Sequence, residues 1–411
     1  MPKGKGGYAM EKISTNELHE LRLDVRKLLR KRILEAIEIV LEEEVAEALG
    51  VGRHQRGEGR QGYRNGVIER RVTTANGAQT LRVPRARLIE SDGSSREFRS
   101  ELLPRYQRRT REVDDAILGA YLAGANSRRI KKALGPLLGQ EHLSRSAISR
   151  VVGRLKALFA QWRSRDLKDE RYALIFLDGF HLKVRLAKRV ISVPVLVAMG
   201  VAEDGSKRLI SLELVVSESS SSWTRFVGDL GDRGLTAPCL LITDGHAGLK
   251  KARSVWPQVP VQRCVKHKWE NLIKCCPKHA HNELRRDFYA IVRAKNADAA
   301  NKAYDAMVAK WRKLCPPVQR SLEEGGLDLI TFYSFPKSMW KGLRTTNSIE
   351  NLNREFRRRT KTQGSFSTEE AAVTLLFGLV AFRQIEFRKI TGYEHVAELL
   401  NKQEQLTARA A

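Results

Sequence analysis

Two apolar runs in this chain each end in an Asp-Gly pair, and this feature most constrains how the chain can fold. Residues 173–177 precede Asp178, and residues 240–243 precede Asp244. Continuous apolar runs of this length predict buried strands of a sheet. Because an unpaired buried charge costs several kcal/mol, a carboxylate at such a position needs a cation beside it.

Asp-Gly is also the commonest turn dipeptide, so a plain turn is the alternative interpretation of both pairs. Asp204 has polar neighbours, and its position predicts the turn of a hairpin. Asp178 and Asp244 instead follow apolar strands, and ligands of such sheets collect at strand ends. We therefore expect these two carboxylates to reach one cation.

A third acid, Glu350, lies in a basic segment. Residues 341–364 carry seven basic groups against two acids. A helix there fixes the direction of Glu350 and puts Arg354 one turn further on. Spacing alone does not separate Glu350 from three competing acids, Glu323, Glu324 and Glu355. A third carboxylate completes a site for two Mg²⁺ or Mn²⁺ ions about 3.5–4 Å apart, which suits work on a phosphodiester.

The net charge of the chain is +27, from 74 basic and 47 acidic residues. A surplus of this size predicts a polyanionic partner, and nucleic acid is the first candidate. A basic protein with solvated faces is the alternative. No run approaches the roughly 18–20 apolar residues that span a bilayer, and no signal-peptide core begins the chain. Five cysteines, odd in number and sparse, argue against a disulfide framework, so we expect a cytoplasmic protein without membrane contact.

The first hundred residues predict a helix followed by a β-hairpin. Residues 17–49 form an amphipathic helix, which either pairs with a second copy or packs on its own chain. Residues 62–66 have turn chemistry. Residues 67–74 and 79–83 then predict two strands around Asn76-Gly77, a strong hairpin signal.

Residues 111–158 predict three helices with a helix-turn-helix character. The second helix covers 127–134 and should stop at Gly135-Pro136, because proline disrupts a helix interior. The third begins after Ser144, a good N-cap. Small polar residues and arginine at its start suit a DNA major groove, although a plain three-helix bundle gives much the same pattern. The predicted base-reading residues are Arg145, Ser146, Ser149 and Arg150.

A Cys-x-x-His element at Cys264 and His267 has two interpretations. With Cys275, Cys276, His279 and His281 it offers ligands for Zn²⁺, which is usually bound by four Cys or His side chains. The spacing is not that of a familiar zinc finger, so a role without metal stays open.

Several of these motifs occur together in one known family. They are Asp178-Gly179, Asp244-Gly245, residues 262–267 with Asn271, residues 346–354 and residues 357–361, together with 62–66, 81–85 and 364–366. In this order, over about residues 60 to 390, the chain resembles the Mutator-type transposases of bacterial insertion sequences.

The resemblance implies a DDE transposase with a ribonuclease H-like core, whose triad falls on Asp178, Asp244 and Glu350. It also implies a helical insertion before the Glu, and Cys264, His267 and Asn271 as companions of the core. The fold class is then an α/β ribonuclease H-like catalytic core with an all-α insertion, preceded by helical, β-hairpin and helix-turn-helix regions. The expected domains are 1–56 (possible dimerisation helix), 57–100 (hairpin unit), 101–168 (helix-turn-helix), 169–274 with 336–390 (core), 275–335 (insertion) and 391–411 (C-terminal helix and tail).

The resulting hypothesis is metal-dependent cleavage at the terminal inverted repeats of the element, followed by attack of the freed 3′-hydroxyl on target DNA. The resemblance favours a circular intermediate. Two ends must be held together, so we expect a homodimer, associated with the nucleoid. The residues expected to hold the DNA backbone are Arg354, Arg357, Arg358, Arg359 and Lys361. A non-catalytic DNA-binding regulator and a structure-selective, metal-dependent nuclease are the alternatives.

Overall fold

The computed structural model describes residues 15–55, 57, 59–138, 143–186, 189–246, 248–249, 253–361, 366 and 368–410. Residues 364 and 365 of the motif 364–366 lie outside the described residues. The chain divides into two compact units, Met1–Tyr121 with Ala125–Val152 and Leu122–Gly124 with Gly153–Ala411. Within the described part, no helix combines the length and apolar character needed to cross a membrane. The six domain ranges given above stay a prediction.

The first unit joins one long helix to a three-stranded sheet and to three shorter helices. Its elements are α1 (Thr15–Leu49), β1 (Gly62–Thr74), β2 (Gly77–Ile89), β3 (Ser95–Glu97), α2 (Arg111–Leu122), α3 (Ser127–Leu138) and the first turns of α4 (Arg145–Arg163). β1 and β2 pair antiparallel, with Thr74 opposite Gly77, which confirms the predicted hairpin. The C-terminal half of α1 packs on this sheet, since Leu41 contacts the cluster around Leu81, and Val45 the cluster around Leu88.

Two predictions in this unit are wrong. Residues 62–66 do not form a turn but begin β1, and a pairing irregularity between Arg64 and Val67 absorbs Gly66 at φ 74°. α3 does not stop at Gly135 but runs to Leu138 with Pro136 inside it. Burial of Leu138 in the core shared by α2, α3 and α4 offsets the hydrogen bond that proline cannot make. The N-cap prediction is confirmed, since the backbone N–H of Ala147 donates to Ser144 Oγ at 3.1 Å.

The second unit is built on a five-stranded sheet with the order β6-β5-β4-β7-β8. The strands are β4 (Leu174–Leu186), β5 (Arg189–Val201), β6 (Lys207–Leu214), β7 (Leu240–Thr243) and β8 (Val261–Arg263). β4, β5 and β6 pair antiparallel, whereas β4, β7 and β8 pair parallel. Both central apolar runs are buried, as expected for strands covered on two faces.

The pairing of β4 corrects one prediction and explains another. The apolar strand does not end at Leu177 as predicted, because β4 continues to pair with β5 and sets Asp178 opposite Val197. β7 does end at Thr243, which pairs with Leu177. Asp178 and Asp244 directly follow this last parallel pair, so the register brings them to neighbouring positions of adjacent strands.

Most of the other elements that the structure describes in the second unit are helices. They are α5 (Ser220–Asp232), α6 (Val265–Cys275), α7 (His281–Val292), α8 (Ala297–Leu314), α9 (Pro316–Gly325), α10 (Trp340–Leu343), α11 (Asn347–Lys361), α12 (Glu369–Ala381) and α13 (Val396–Ala410). The stretch 275–335 is helical, as predicted. Asp204 forms the predicted hairpin turn, because its Oδ1 accepts from the backbone N–H of Ser206 and Gly205 has φ 78°. The chain is thus a mixed α/β protein.

Candidate functional site

Asp178 is a buried carboxylate in the middle of the sheet. Helix α11 crosses β4 there, with the rings of Phe180 and Phe356 5.8 Å apart. Asn353, about one helical turn before Phe356, donates from Nδ2 to Asp178 Oδ2 at 2.7 Å. Burial first, and the nearby carboxylates of Asp244 and Glu350 with it, raise the pKa of Asp178 to about 7. The ionised form of Asp178 therefore lacks sufficient compensating charge.

Asp244 lies in a tight turn directly after β7. Its Oδ1 accepts from the backbone N–H of His246 at 2.8 Å, and Gly245 has φ 83°. A Cβ on Gly245 would come within 2.1 Å of Arg263 Nε, so only glycine fits. Asp244-Gly245 is thus a turn, as the alternative interpretation predicted. Asp244 nevertheless also lies at a position next to Asp178, directly after the adjacent strand. This rigid turn fixes the Asp244 carboxylate at the edge of the sheet.

Glu350 lies in the first turn of α11 and is surrounded by donors. Lys266 Nζ donates to Oε2 at 2.6 Å, and Thr346 Oγ1 donates to Oε1 at 2.8 Å. His267 Nε2 lies 3.7 Å from Oε1. Burial opposes ionisation, but Lys266, Thr346 and His267 outweigh it and hold the pKa of Glu350 below its usual value. Glu350 is therefore an ionised acid with its charge already compensated.

Cys264 and His267 form a hydrogen-bonded pair at the start of α6. The Cys264 thiol is the main cause that raises the pKa of His267 to about 9, against the effect of burial. Burial raises the pKa of Cys264, but His267 more than offsets this effect. The backbone N–H of Thr346 also donates to Cys264 Sγ at 3.4 Å. The pair thus supports α11, and the raised pKa of His267 favours its charged form beside Glu350.

Among the described residues, one group of three metal-ligating side chains has its ligand atoms within 4.8 Å of one another, and it consists of Cys264, His267 and Glu350. The carboxylates of Asp178, Asp244 and Glu350 are near enough to shift the pKa of Asp178 but are more widely spaced than this. Four other candidate zinc ligands do not join such a group: Cys275, Cys276, His279 and His281. Asn271 lies one turn after His267 on α6 and is half-buried.

The three competing acids are each held by a different cation. Glu324 accepts from Arg263 at 2.5 Å and from Lys268 at 2.8 Å. Glu323 lies 3.8 Å from Arg312, and Glu355 lies 2.6 Å from Arg358. The structure therefore distinguishes Glu350, which acts on Asp178, from acids that serve local ion pairs.

The basic residues of α11 do not all share one face. Arg354, Arg357 and Lys361 follow Glu350 at intervals of one, two and three turns, on its side of the helix. They are exposed, and the Arg357 guanidinium lies 5.7 Å from the ring centre of Phe180 on β4. Arg358 is exposed and pairs with Glu355. Arg359 is half-buried on another side, so it is the weakest of the five DNA-contact predictions.

In the first unit, the predicted base-reading residues lie on the first turns of α4. Arg145, Ser146, Ser149 and Arg150 are all exposed there. Buried residues of α2, α3 and α4 form one core behind them. The surface is accessible, and its use for reading bases stays a prediction.

Sequence reasoning missed several residues that shape the site. Thr346 and Asn353 flank Glu350 at one-turn spacings, and that periodicity could have identified them. Lys266 lies inside the motif 262–267, but no spacing rule pointed from it to Glu350. Glu218, in a serine-rich loop, was also missed: a Cβ on Gly179 would lie 2.7 Å from Glu218 Oε1, so this carboxylate packs against the backbone beside Asp178.

The oxygen ligands of this site suit a hard divalent cation. Burial first, and then the like charges of Asp244 and Glu350, raise the pKa of Asp178, and a cation would relieve that repulsion. Within the described part of the chain, the buried Oδ1 of Asn353 accepts no hydrogen bond, so it is available to the water shell of an ion. Glu350 accepts from Lys266 and would have to release that ammonium before Oε2 could hold a cation.

Comparison with known proteins gives a consistent result. Residues 9–389 match the family described as "Transposase, Mutator family". The transposase for insertion sequence element IS406 of Burkholderia multivorans is 33% identical over 354 residues, 84% of this chain and 89% of that protein. That for ISRM5 of Rhizobium meliloti is 32% identical over 384 residues, 93% and 94% of the two chains. That for IS256 in transposon Tn4001 of Staphylococcus aureus is 30% identical over 344 residues, 82% and 85%.

Proposed function

Because the chain belongs to the Mutator family of transposases, we propose that it is a DDE-type enzyme in which Asp178, Asp244 and Glu350 hold divalent cations for the cleavage and joining of DNA strands. The observation that carries this proposal is the buried Asp178, whose pKa is raised by burial first and then by the nearby carboxylates of Asp244 and Glu350. Acids so arranged oppose one another until a cation is bound.

The architecture supports a ribonuclease H-like core as part of the proposal. Three antiparallel strands continue into two parallel ones, and the central β4 carries Asp178. The helices α7–α9 lie in the chain between Asp244 and Glu350, which supports the all-α insertion. The common core of α2, α3 and α4 supports a helix-turn-helix region.

In this proposal the side chains of the acid site have different roles. Bound divalent cations would activate the attacking oxygen and stabilise the leaving one. Asp178 and Asp244 would hold the ions from the sheet, and Glu350 would join them from α11. Lys266 is 46% exposed at its side chain, and ion pairs at such positions contribute only about 0.2–1 kcal/mol. Lys266 can therefore leave Glu350 when a cation or a DNA phosphate arrives.

The DNA partner we propose is the pair of terminal inverted repeats of the insertion sequence that carries this gene, together with target DNA. Relatives along nearly the whole chain are named as transposases for insertion sequence elements. Arg354, Arg357 and Lys361 hold backbone phosphates beside the acids. In this proposal a homodimer holds the two ends together, and it acts at the nucleoid in the cytoplasm.

A strand-transfer assay tests this function. The DNA flanking the gene supplies the repeats, which are end-labelled and incubated with the full chain, with and without Mg²⁺. We expect cleavage at the repeat end and a joined product, both only with Mg²⁺. Binding without cleavage would indicate a regulator, and cleavage without joining would indicate a nuclease. Either result contradicts the proposal.

A further inference from the structure

The first unit carries a strongly basic groove. It has a volume of about 900 Å³ and lies among β1, β2, the segment 97–109 and the first turns of α4. Eight arginines line it, and Glu97 is the single acid among the described residues of its wall. One carboxylate in the wall offsets only part of the charge of eight guanidinium groups, so the groove is suited to an anionic ligand.

The arginines of the groove differ in whether they form ion pairs. Arg109 pairs with Asp114 at 2.7 Å, and Arg85 pairs with Glu97 at 2.8 Å. Three others, Arg99, Arg108 and Arg150, are exposed and form no ion pair within the part of the chain that the structure describes. These three guanidinium groups are open to a polyanion.

Tyr106 stands at the edge of this groove in an unusual conformation. Its side chain is 81% exposed, and its φ of 71° lies in the left-handed region, which is unfavourable for tyrosine. The Arg105 guanidinium lies 5.2 Å from the centre of its ring. An exposed aromatic ring on a strained backbone needs an explanation, because folding alone favours burial of the ring and a relaxed backbone.

The strain at Tyr106 is imposed by its neighbours. The Arg70 side chain donates to the backbone carbonyls of Leu103, Pro104 and Gln107 at 3.2, 3.1 and 2.7 Å. These bonds hold the chain on both sides of Tyr106. On the far side, the backbone N–H of Thr73 on β1 donates to the carbonyl of Arg108 at 2.9 Å. The aromatic ring is therefore presented by a rigid loop.

We propose that this groove binds the backbone of duplex DNA and that Tyr106 stacks on a base of that duplex where it is locally unstacked. Free guanidinium groups supply phosphate contacts. Aromatic rings stack on any base, and inserted side chains commonly open a base step. The inference rests on the proposed function, which makes DNA the substrate.

The groove adjoins the predicted base-reading surface at the start of α4. Ser144, Ala147 and Arg150 belong to its wall, so the first turns of α4 border it. Arg150, predicted above to read bases, lies in the groove as a phosphate contact. Arg145, Ser146 and Ser149 are not in the wall and keep their predicted role at the adjoining surface.

The charge of the groove is tested with the full chain and a short random-sequence duplex. The triple variant Arg99→Gln/Arg108→Gln/Arg150→Gln should reduce the slope of log Kd against log salt by almost one for each lost contact. The matched control is Arg53→Gln/Arg82→Gln/Arg87→Gln, which removes the same charge from exposed residues outside the groove wall. It should change the slope much less. Equal slopes for the two triples would overturn the groove assignment.

The stacking is tested on the same duplex carrying 2-aminopurine, whose fluorescence rises when its base unstacks. Tyr106→Phe should bind and enhance fluorescence as wild type does. Tyr106→Ala should bind about five- to a hundredfold more weakly, without the enhancement. Tyr106→Gly should match Tyr106→Ala in binding while its melting temperature does not fall, because glycine tolerates the left-handed backbone.

Wild-type affinity and fluorescence for Tyr106→Ala would overturn the stacking. That failure would leave the proposed catalytic function intact, because strand transfer by the wild-type chain tests it separately. A wild-type chain that does not bind DNA would overturn both.

Discussion

The acid site of the second unit and the basic groove of the first both gather charges of one sign, but in opposite environments. Burial, and two like charges with it, raise the pKa of Asp178 to about 7. Arg99, Arg108 and Arg150 are exposed, so water screens their repulsion. Buried like charges create a site for a small ion, whereas exposed ones create a surface for a polymer.

The same contrast recurs inside the acid site. Glu350 and Asp178 belong to one cluster, yet their pKa values shift in opposite directions. Lys266 and Thr346 donate to Glu350, whereas Asp178 receives one neutral donor from Asn353. The partners of each acid, rather than its position alone, determine its charge in the absence of a cation.

The largest expected effect separates the two regions by function. Asp178→Asn, Asp244→Asn or Glu350→Gln should lower cleavage and joining by about 10³-fold, the scale of losing one electrostatic stabiliser of a transition state. Their affinity for end DNA should not change. Quantified cleavage and binding of the labelled ends measure both effects, with Glu355→Gln as the acid control. If any of the three cleaved at the normal rate, its assigned role would be wrong.

A second prediction uses the pKa of Asp178. Well below pH 3.8 this carboxyl is protonated in both folded and unfolded chains, so it imposes no penalty. As the pH rises towards 7, the unfolded chain loses the proton first, and the folded state is destabilised progressively. The shift from 3.8 to about 7 corresponds to at most about 4 kcal/mol. Urea unfolding across this range should show the loss, and Asp178→Asn should flatten it.

Mg²⁺ should reverse that loss. A cation binds the ionised carboxylate, so it should raise the melting temperature more at about pH 8 than at about pH 5. In Asp178→Asn this pH dependence should disappear. Equal stabilisation by Mg²⁺ at both pH values would show that its binding is not linked to Asp178.

A third prediction concerns the donor to Asp178. Asn353→Ala leaves the buried carboxylate without its hydrogen bond and should lower the free energy of unfolding by about 1–3 kcal/mol. Asn351→Ala, at an exposed position of the same helix, should change it by less than about 0.5 kcal/mol. Urea unfolding of both variants decides the matter, and equal losses would contradict the assigned role of Asn353.

The smallest effect is expected at Lys266. Lys266→Ala removes the ammonium that competes for Glu350, so Mg²⁺ should bind up to about fivefold more tightly without DNA. Lys274→Ala, an exposed lysine of the same helix, serves as control. Calorimetric titration measures both. Weaker Mg²⁺ binding by Lys266→Ala would mean that this lysine supports the cation site.

The sequence correctly predicted those elements whose formation depends on neighbouring residues. The two apolar strands, the Asn76-Gly77 hairpin and the Asp204 turn are confirmed, because each depends on a few adjacent residues. The continuation of β4 past Asp178 was missed, because pairing with β5 decides it. The extension of α3 through Pro136 was missed because burial of Leu138 overrides the local signal.

The side-chain contacts within the acid site were harder to predict from the sequence. The Asn353–Asp178 hydrogen bond joins residues 175 positions apart, and the Lys266–Glu350 pair joins residues 84 apart. No spacing rule reaches across such distances. The strain at Tyr106, in a loop, likewise depends on Arg70, a residue of β1. Type and position of the candidate acids were predictable, but their charge states and partners were not.

Anomalous diffraction from crystals soaked in Mn²⁺ tests the central claim most directly. We predict a peak with carboxylate oxygens of both Asp178 and Asp244 about 2.1 Å away, and Glu350 turned from Lys266 to the same cluster. A peak confined to Cys264, His267 and Glu350, or no ion in contact with Asp178, would contradict it.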